Sequence, residues 1–101
     1  MRVRFTDEAR ARLRQIHAYI AQDAPAQADA MIDRITRCAE QIGQLPHGGH
    51  VVAKYRLGGV REVLERPYRI LYRIRADEIE VLSVMHYRQL LPDRLAGLRG
   101  G

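Results

Sequence analysis

Pro67-Tyr-Arg-Ile-Leu-Tyr-Arg-Ile-Arg-Ala-Asp-Glu-Ile-Glu-Val-Leu-Ser-Val-Met-His-Tyr-Arg88 decides the fold of this chain. Its first part alternates: Ile70, Tyr72 and Ile74 fall on one side of an extended strand, and Arg69, Leu71, Arg73 and Arg75 on the other. Ala76-Asp77-Glu78 reads as a tight acidic turn. Ile79–Met85 is apolar at most positions, as in a central strand covered on both faces. The second strand runs into His86-Tyr87-Arg88, a polar cluster at a strand end, where a small sheet can present chemistry.

Upstream, the period changes. Val51–Leu57 reads as a strand, Gly58-Gly59 as a hairpin turn and Val60–Glu65 as the next strand. Arg66-Pro67 is a break. Before His47-Gly48-Gly49-His50 the pattern is helical. Thr6 is the expected N-cap of a first helix, with Asp7 and Glu8 matched to its dipole. Ala9, Leu13, Ile16 and Ile20 form its apolar stripe, and its end falls near Gln22. Asp23-Ala24-Pro25 breaks and restarts the chain, proline being tolerated in a first helical turn. Ala28, Met31, Ile32, Ile35, Ala39 and Ile42 make a second stripe, with Gly43 as the expected C-terminal cap and Pro46 preventing resumption. Arg2–Phe5 is a short leading strand, and Leu90–Leu98 a short helix or tail interrupted by Pro92. The expected architecture is therefore an α+β two-layer sandwich in the order β-α-α-β-β-β-β. A helix hairpin covers one face of a three- to four-stranded, mainly antiparallel sheet.

Size and composition agree. The 101 residues suffice for a single domain over 1–101, and 47% hydrophobic with 29% charged is globular rather than disordered. No apolar run approaches a membrane span, and the N-terminus lacks the apolar core of a signal peptide, so the expected location is cytoplasmic. Cys38, in a helical pattern, reads as a small core residue. The net charge of +5 is uneven: residues 1–49 hold 7 basic and 6 acidic side chains, residues 50–101 hold 10 and 6. A basic C-terminal half points to an anionic partner, nucleic acid or an acidic protein segment, against the plain alternative of a charge that keeps a small domain soluble.

Several of these stretches carry a resemblance. Phe5-Thr-Asp-Glu-Ala9 with Leu13, Ile16 and Tyr19-Ile20, then Pro25, Ala28 and Ile42–Pro46, look like the two helices of one family. Gly59-Val-Arg61-Glu62, Pro67–Ile74, Ile79–Val84 and His86 look like its sheet. From about Val3 to Leu91 the chain resembles the RelE/ParE superfamily of bacterial type II toxins, on the ParE-like side. The resemblance implies a growth-inhibiting toxin held inactive in a hetero-oligomer with a cognate antitoxin. That partner would be a small protein, acidic in its toxin-binding segment, covering the outer side of the helix hairpin and the sheet edge. It implies one of two targets, DNA gyrase or the ribosome, with no cofactor and no membrane.

The two activities make different demands. Metal-free cleavage of messenger RNA needs a base for the 2′-OH, cations for the phosphorane and an acid for the leaving oxygen. Arg69, His86 and Tyr87 stand where YoeB-like members place a catalytic arginine and a C-terminal His-Tyr pair. The glutamate those members use before the third strand has no counterpart in His47–Arg56, and Lys54 is the sole lysine. In the ParE-like reading the chain is not an enzyme, and Arg69 and Arg73 are free to pair across strands with Glu62, Glu65 or Glu80. Arg61, Arg73, Arg88 and Arg94, with Arg99, are then the candidates for contacting gyrase or its DNA. His17 reads as a surface residue, and His47 and His50 as a loop rather than a metal site. An inactive family member, or a basic domain that binds nucleic acid, is the remaining alternative.

Overall fold

The computed structural model describes residues 1–98. Its elements run β1 (Arg2–Phe5), α1 (Asp7–Ala21), α2 (Pro25–Gln44), β2 (His50–Val51), a 3-10 helix (Ala53–Gly58), β3 (Arg61–Glu65), β4 (Tyr68–Arg75) and β5 (Glu78–His86). All five strands join one sheet in the order β1-β5-β4-β3-β2, antiparallel except where β1 lies parallel to β5. The leading strand thus belongs to the same sheet, beside the last one.

α1 starts where a threonine can cap it. Thr6 Oγ1 accepts from the Ala9 N–H at 3.1 Å and donates to the Leu82 carbonyl at 3.2 Å, which ties the helix start to β5. α2 starts with Pro25 in its first turn. The two helices pack on one sheet face. Ala9, Ile16, Ile35, Ala39 and Ile42 meet Tyr68, Ile70, Tyr72, Ile79, Val81 and Val84 there in the main core.

Three expectations need correction. Gly43 does not end α2; it is buried inside the helix, where a Cβ would lie 2.6 Å from the Met1 carbonyl oxygen. Glycine is there so that α2 can approach the β1 end closely. Val51–Leu57 is not one strand, because pairing stops after Val51 and the chain coils into the 3-10 helix. Gly58-Gly59 is accordingly no two-residue hairpin; Gly59, at φ 71°, closes the 3-10 helix in a left-handed conformation that glycine adopts without strain. Of the two readings of Leu90–Leu98, short helix or tail, the structure shows the tail.

That last segment has a structural role. Val52, Tyr55, Val60, Leu71, Leu82, Met85 and Leu95 form a second core on the face away from the helices. An extra residue shifts the alternation along β5. Leu71 pairs with Ser83 and Tyr72 with Val81, so Leu82 has no partner across the ladder. The bulge lets Val81 and Val84 both face the helices while Leu82 and Met85 face the second core. β5 is covered on both faces, as its apolar run predicts.

Candidate functional site

Strand alternation divides the candidate residues between two faces. Arg69 sits opposite Met85 on the second-core face, whereas His86 sits opposite Tyr68 on the helix face. The rings of Tyr68 and His86 meet edge-on, centroids 5.8 Å apart. Arg69 and His86 therefore lie on opposite faces of the sheet.

On the second-core face Arg69 is 13% exposed and already engaged: it donates to Glu62 Oε2 at 3.3 Å and to the Gln89 carbonyl at 2.6 Å. Among the described residues its buried Nε has no partner. Beside it, Lys54 Nζ donates to the Leu91 carbonyl at 3.0 Å and lies 3.1 Å from Asp93. Tyr55 donates its hydroxyl to the Pro92 carbonyl. Further along, Arg73 holds Glu80 at 2.7 Å and reaches the Gly97 carbonyl at 3.3 Å. Arg4 pairs with the other oxygen of Glu80 and with Glu78. Burial opposes the Glu80 charge, yet Arg73 and Arg4 outweigh it and hold the carboxyl below the usual carboxylate range. Cross-strand pairing thus holds for Arg69 with Glu62 and Arg73 with Glu80, while Glu65 is taken by Arg34 from α2 at 2.8 Å.

At the end of β5, on the helix side, His86 stacks on Tyr87 with centroids 5.1 Å apart, and Arg88 lies 5.5 Å over the Tyr87 ring. The Arg88 backbone N–H donates to His86 Nδ1 at 3.1 Å. A backbone N–H can only donate, so the neutral imidazole carries its proton on Nε2. The ring lines a groove of about 320 Å³ with Arg12, Gln15, Tyr19, Tyr68 and Gln89. The exposed Tyr19 of α1 belongs to this groove, and nothing in α1's periodicity singles it out.

The remaining candidates part company. Arg61 is turned inward, donating to the Gly49 and His47 carbonyls at 2.9 and 3.3 Å. Arg73 is 5% exposed and held by Glu80. Arg88 and Arg94 are exposed. Arg99 lies outside the described residues. His17 faces solvent and bridges the two helices through Asp29 at 2.7 Å. His47 and His50 are exposed, and among the described residues no group of three metal-binding side chains converges. The hydrogen bonds from Lys54, Tyr55 and Arg69 to residues 89–92 were not foreseen; they depend on a chain path that no local pattern encodes.

Known proteins match both the sequence and this fold. The family model described as the ParE toxin of the type II toxin–antitoxin system parDE matches residues 3–91. The toxin candidate Y4kP of Sinorhizobium fredii (strain NBRC 101917 / NGR234) is 36% identical over 96 residues, covering 93% of this chain and 96% of that one. A solved chain from a chromosomal ParDE toxin–antitoxin system of P. aeruginosa superposes with a TM-score of 0.71 at 25% identity, over 85% of this chain and 95% of its own length. One from the toxin–antitoxin complex RelBE2 of Mycobacterium tuberculosis gives 0.61 at 26% identity, over 84% and 95%.

Proposed function

The chain belongs to the ParE toxin family of type II toxin–antitoxin systems, and from that premise we propose that it inhibits growth by poisoning DNA gyrase and is neutralised by a cognate antitoxin. It acts in the cytoplasm, where gyrase works; among the described residues no helix is long and apolar enough to cross a membrane. The mechanism is contact rather than chemistry. The toxin binds the enzyme–DNA complex and traps the cleaved intermediate, using exposed cations such as Arg88 and Arg94.

The observation that carries this reading is the separation of Arg69 from His86. Cleavage of RNA needs its cation and its acid or base around one phosphate. Here the β4–β5 register puts them on opposite faces, and Arg69 is occupied by Glu62 and Gln89. The ribosome-dependent nuclease reading retains one specific support, the His86–Tyr87 stack with Arg88 at the sheet end.

The test is a supercoiling reaction with purified, antitoxin-free protein, gyrase, relaxed plasmid and ATP. The expected result is lost supercoiling with accumulated double-strand breaks. Intact supercoiling, together with ribosome-dependent messenger RNA cleavage that His86→Ala abolishes, would sink the gyrase reading. If neither activity appears and expression leaves growth unchanged, the chain is an inactive member.

A further inference from the structure

Between α1 and the end of β5, rings, amides and an arginine gather around one groove of about 320 Å³. That volume lies at the low end of the roughly 300–1,000 Å³ of ligand sites, which suits one small ligand. Tyr19, Tyr68 and His86 are its rings, Gln15 and Gln89 its amides, and Arg12 its cation. Helical spacing puts Arg12, Gln15 and Tyr19 on one side of α1, at i, i+3 and i+7. Tyr19 is 73% exposed, so its ring serves no core.

The rings are braced from the strand end. His86 meets Tyr68 edge-on and stacks on Tyr87, and Arg88 lies over the Tyr87 ring. The Arg88 N–H occupies His86 Nδ1, which leaves Nε2–H as the donor of that imidazole. Arg12 uses one of its five N–H groups on Glu8 at 2.7 Å, and Arg88 uses one on the Tyr87 hydroxyl at 3.0 Å. Glu8 offsets the charge of Arg12, so Arg88 is the cation with more to offer an anion.

Each feature answers one part of a nucleotide. An aromatic face takes a base by stacking, whatever the base. A carboxamide presents both a donor and an acceptor, as a base edge does. A guanidinium matches phosphate. An aromatic side chain from a protein would meet the rings but leave the amides and arginines idle. A base inside a duplex is stacked on both sides, so the occupant has to be unpaired.

We infer that this groove binds an unstacked nucleotide of single-stranded DNA, its base against Tyr19 and His86 and its phosphate toward Arg88. The inference rests on the gyrase reading and deepens it, since a cleaved duplex held open is where such a nucleotide comes within reach. A toxin that grips it opposes resealing, and contact without chemistry then traps the break.

The test uses the full, antitoxin-free chain and a fluorescein-labelled DNA strand, read by anisotropy. The strand is offered alone, as its duplex, as an abasic strand of equal length and as RNA of the same sequence. The single strand is expected to bind at least about tenfold more tightly than the duplex or the abasic strand. Tyr19→Ala should weaken it at least about fivefold without changing its salt dependence, and Tyr19→Phe should keep it. Arg88→Ala should lower the salt slope by about 0.7. Equal binding of the duplex or the abasic strand overturns the proposal, and so does unchanged affinity in Tyr19→Ala or no binding at all. RNA bound at least about tenfold more tightly than DNA overturns the assignment to DNA. In a gyrase cleavage reaction, Tyr19→Ala should shorten the life of the trapped break. If wild type and Tyr19→Ala poison gyrase equally, this inference falls and the gyrase reading stands. If wild type binds single strands but leaves gyrase untouched, the gyrase reading falls and the groove stands.

Discussion

Two buried polar residues show how little of a side chain's role follows from its type. Tyr72 is fully buried, and its hydroxyl donates to the Pro46 carbonyl at 2.7 Å while accepting from the Gly49 N–H at 3.1 Å. It pins the loop that follows α2. Tyr72→Phe keeps the ring but strands both backbone groups, so it is expected to cost about 1–3 kcal/mol, read from urea unfolding. Glu80 is the hub of Arg4 and Arg73. Glu80→Ala leaves the Arg73 charge buried without its counterion and is expected to cost about 3–5 kcal/mol at pH 7. Because the native carboxyl is held below its unfolded value of about 4.3, its contribution is fully present above that pH. It is lost as pH falls through the lower native value. Urea midpoints between pH 7 and pH 2.5 should therefore fall less steeply on the acid side in Glu80→Ala than in wild type. An equal slope in both proteins would show that other carboxylates set the acid limb.

Among the elements, α2 and α1 make opposite points about local propensity. By propensity alone, alanine at position 43 should favour a helix over glycine by about 1 kcal/mol. The fold reverses this, since the added Cβ would meet the Met1 carbonyl at 2.6 Å and Val3 at 3.0 Å, and the first of these is backbone that cannot rotate away. Gly43→Ala is expected to destabilise by about 1–3 kcal/mol in thermal unfolding; a rise in Tm would mean that β1 shifts freely. Thr6 behaves as its sequence position says. Thr6→Ala removes the cap on the Ala9 N–H and the link to Leu82 and should cost about 1 kcal/mol. The element order, α1, β4 and the apolar run of β5 are legible because periodicity and caps are local signals. The 3-10 helix is not legible, because Val51–Leu57 has the residues of a strand, and what coils it is the packing of Val52 and Tyr55 into the second core.

At the scale of the whole molecule, the proposed contact with gyrase uses the exposed arginines at the end of β5 and in the segment after it. Arg88→Glu with Arg94→Glu should weaken gyrase poisoning at least tenfold without lowering Tm, since both side chains are exposed. Loss of toxicity with a lowered Tm would instead indicate misfolding. Sequence by itself determined the architecture, two helices over a mainly antiparallel sheet, and the membership that its ordered motifs carry from Val3 to Leu91. Both depend on patterns read over neighbouring residues. Only the tertiary structure decided that Arg69 and His86 face opposite ways, that Arg61 holds the Gly49 carbonyl and Arg73 holds Glu80, and that residues 89–98 fill the face beneath them. The first follows from strand register, which no single strand's sequence states. The others follow from long-range packing, where a donor's partner is a backbone carbonyl up to 37 residues away and any residue supplies the same oxygen.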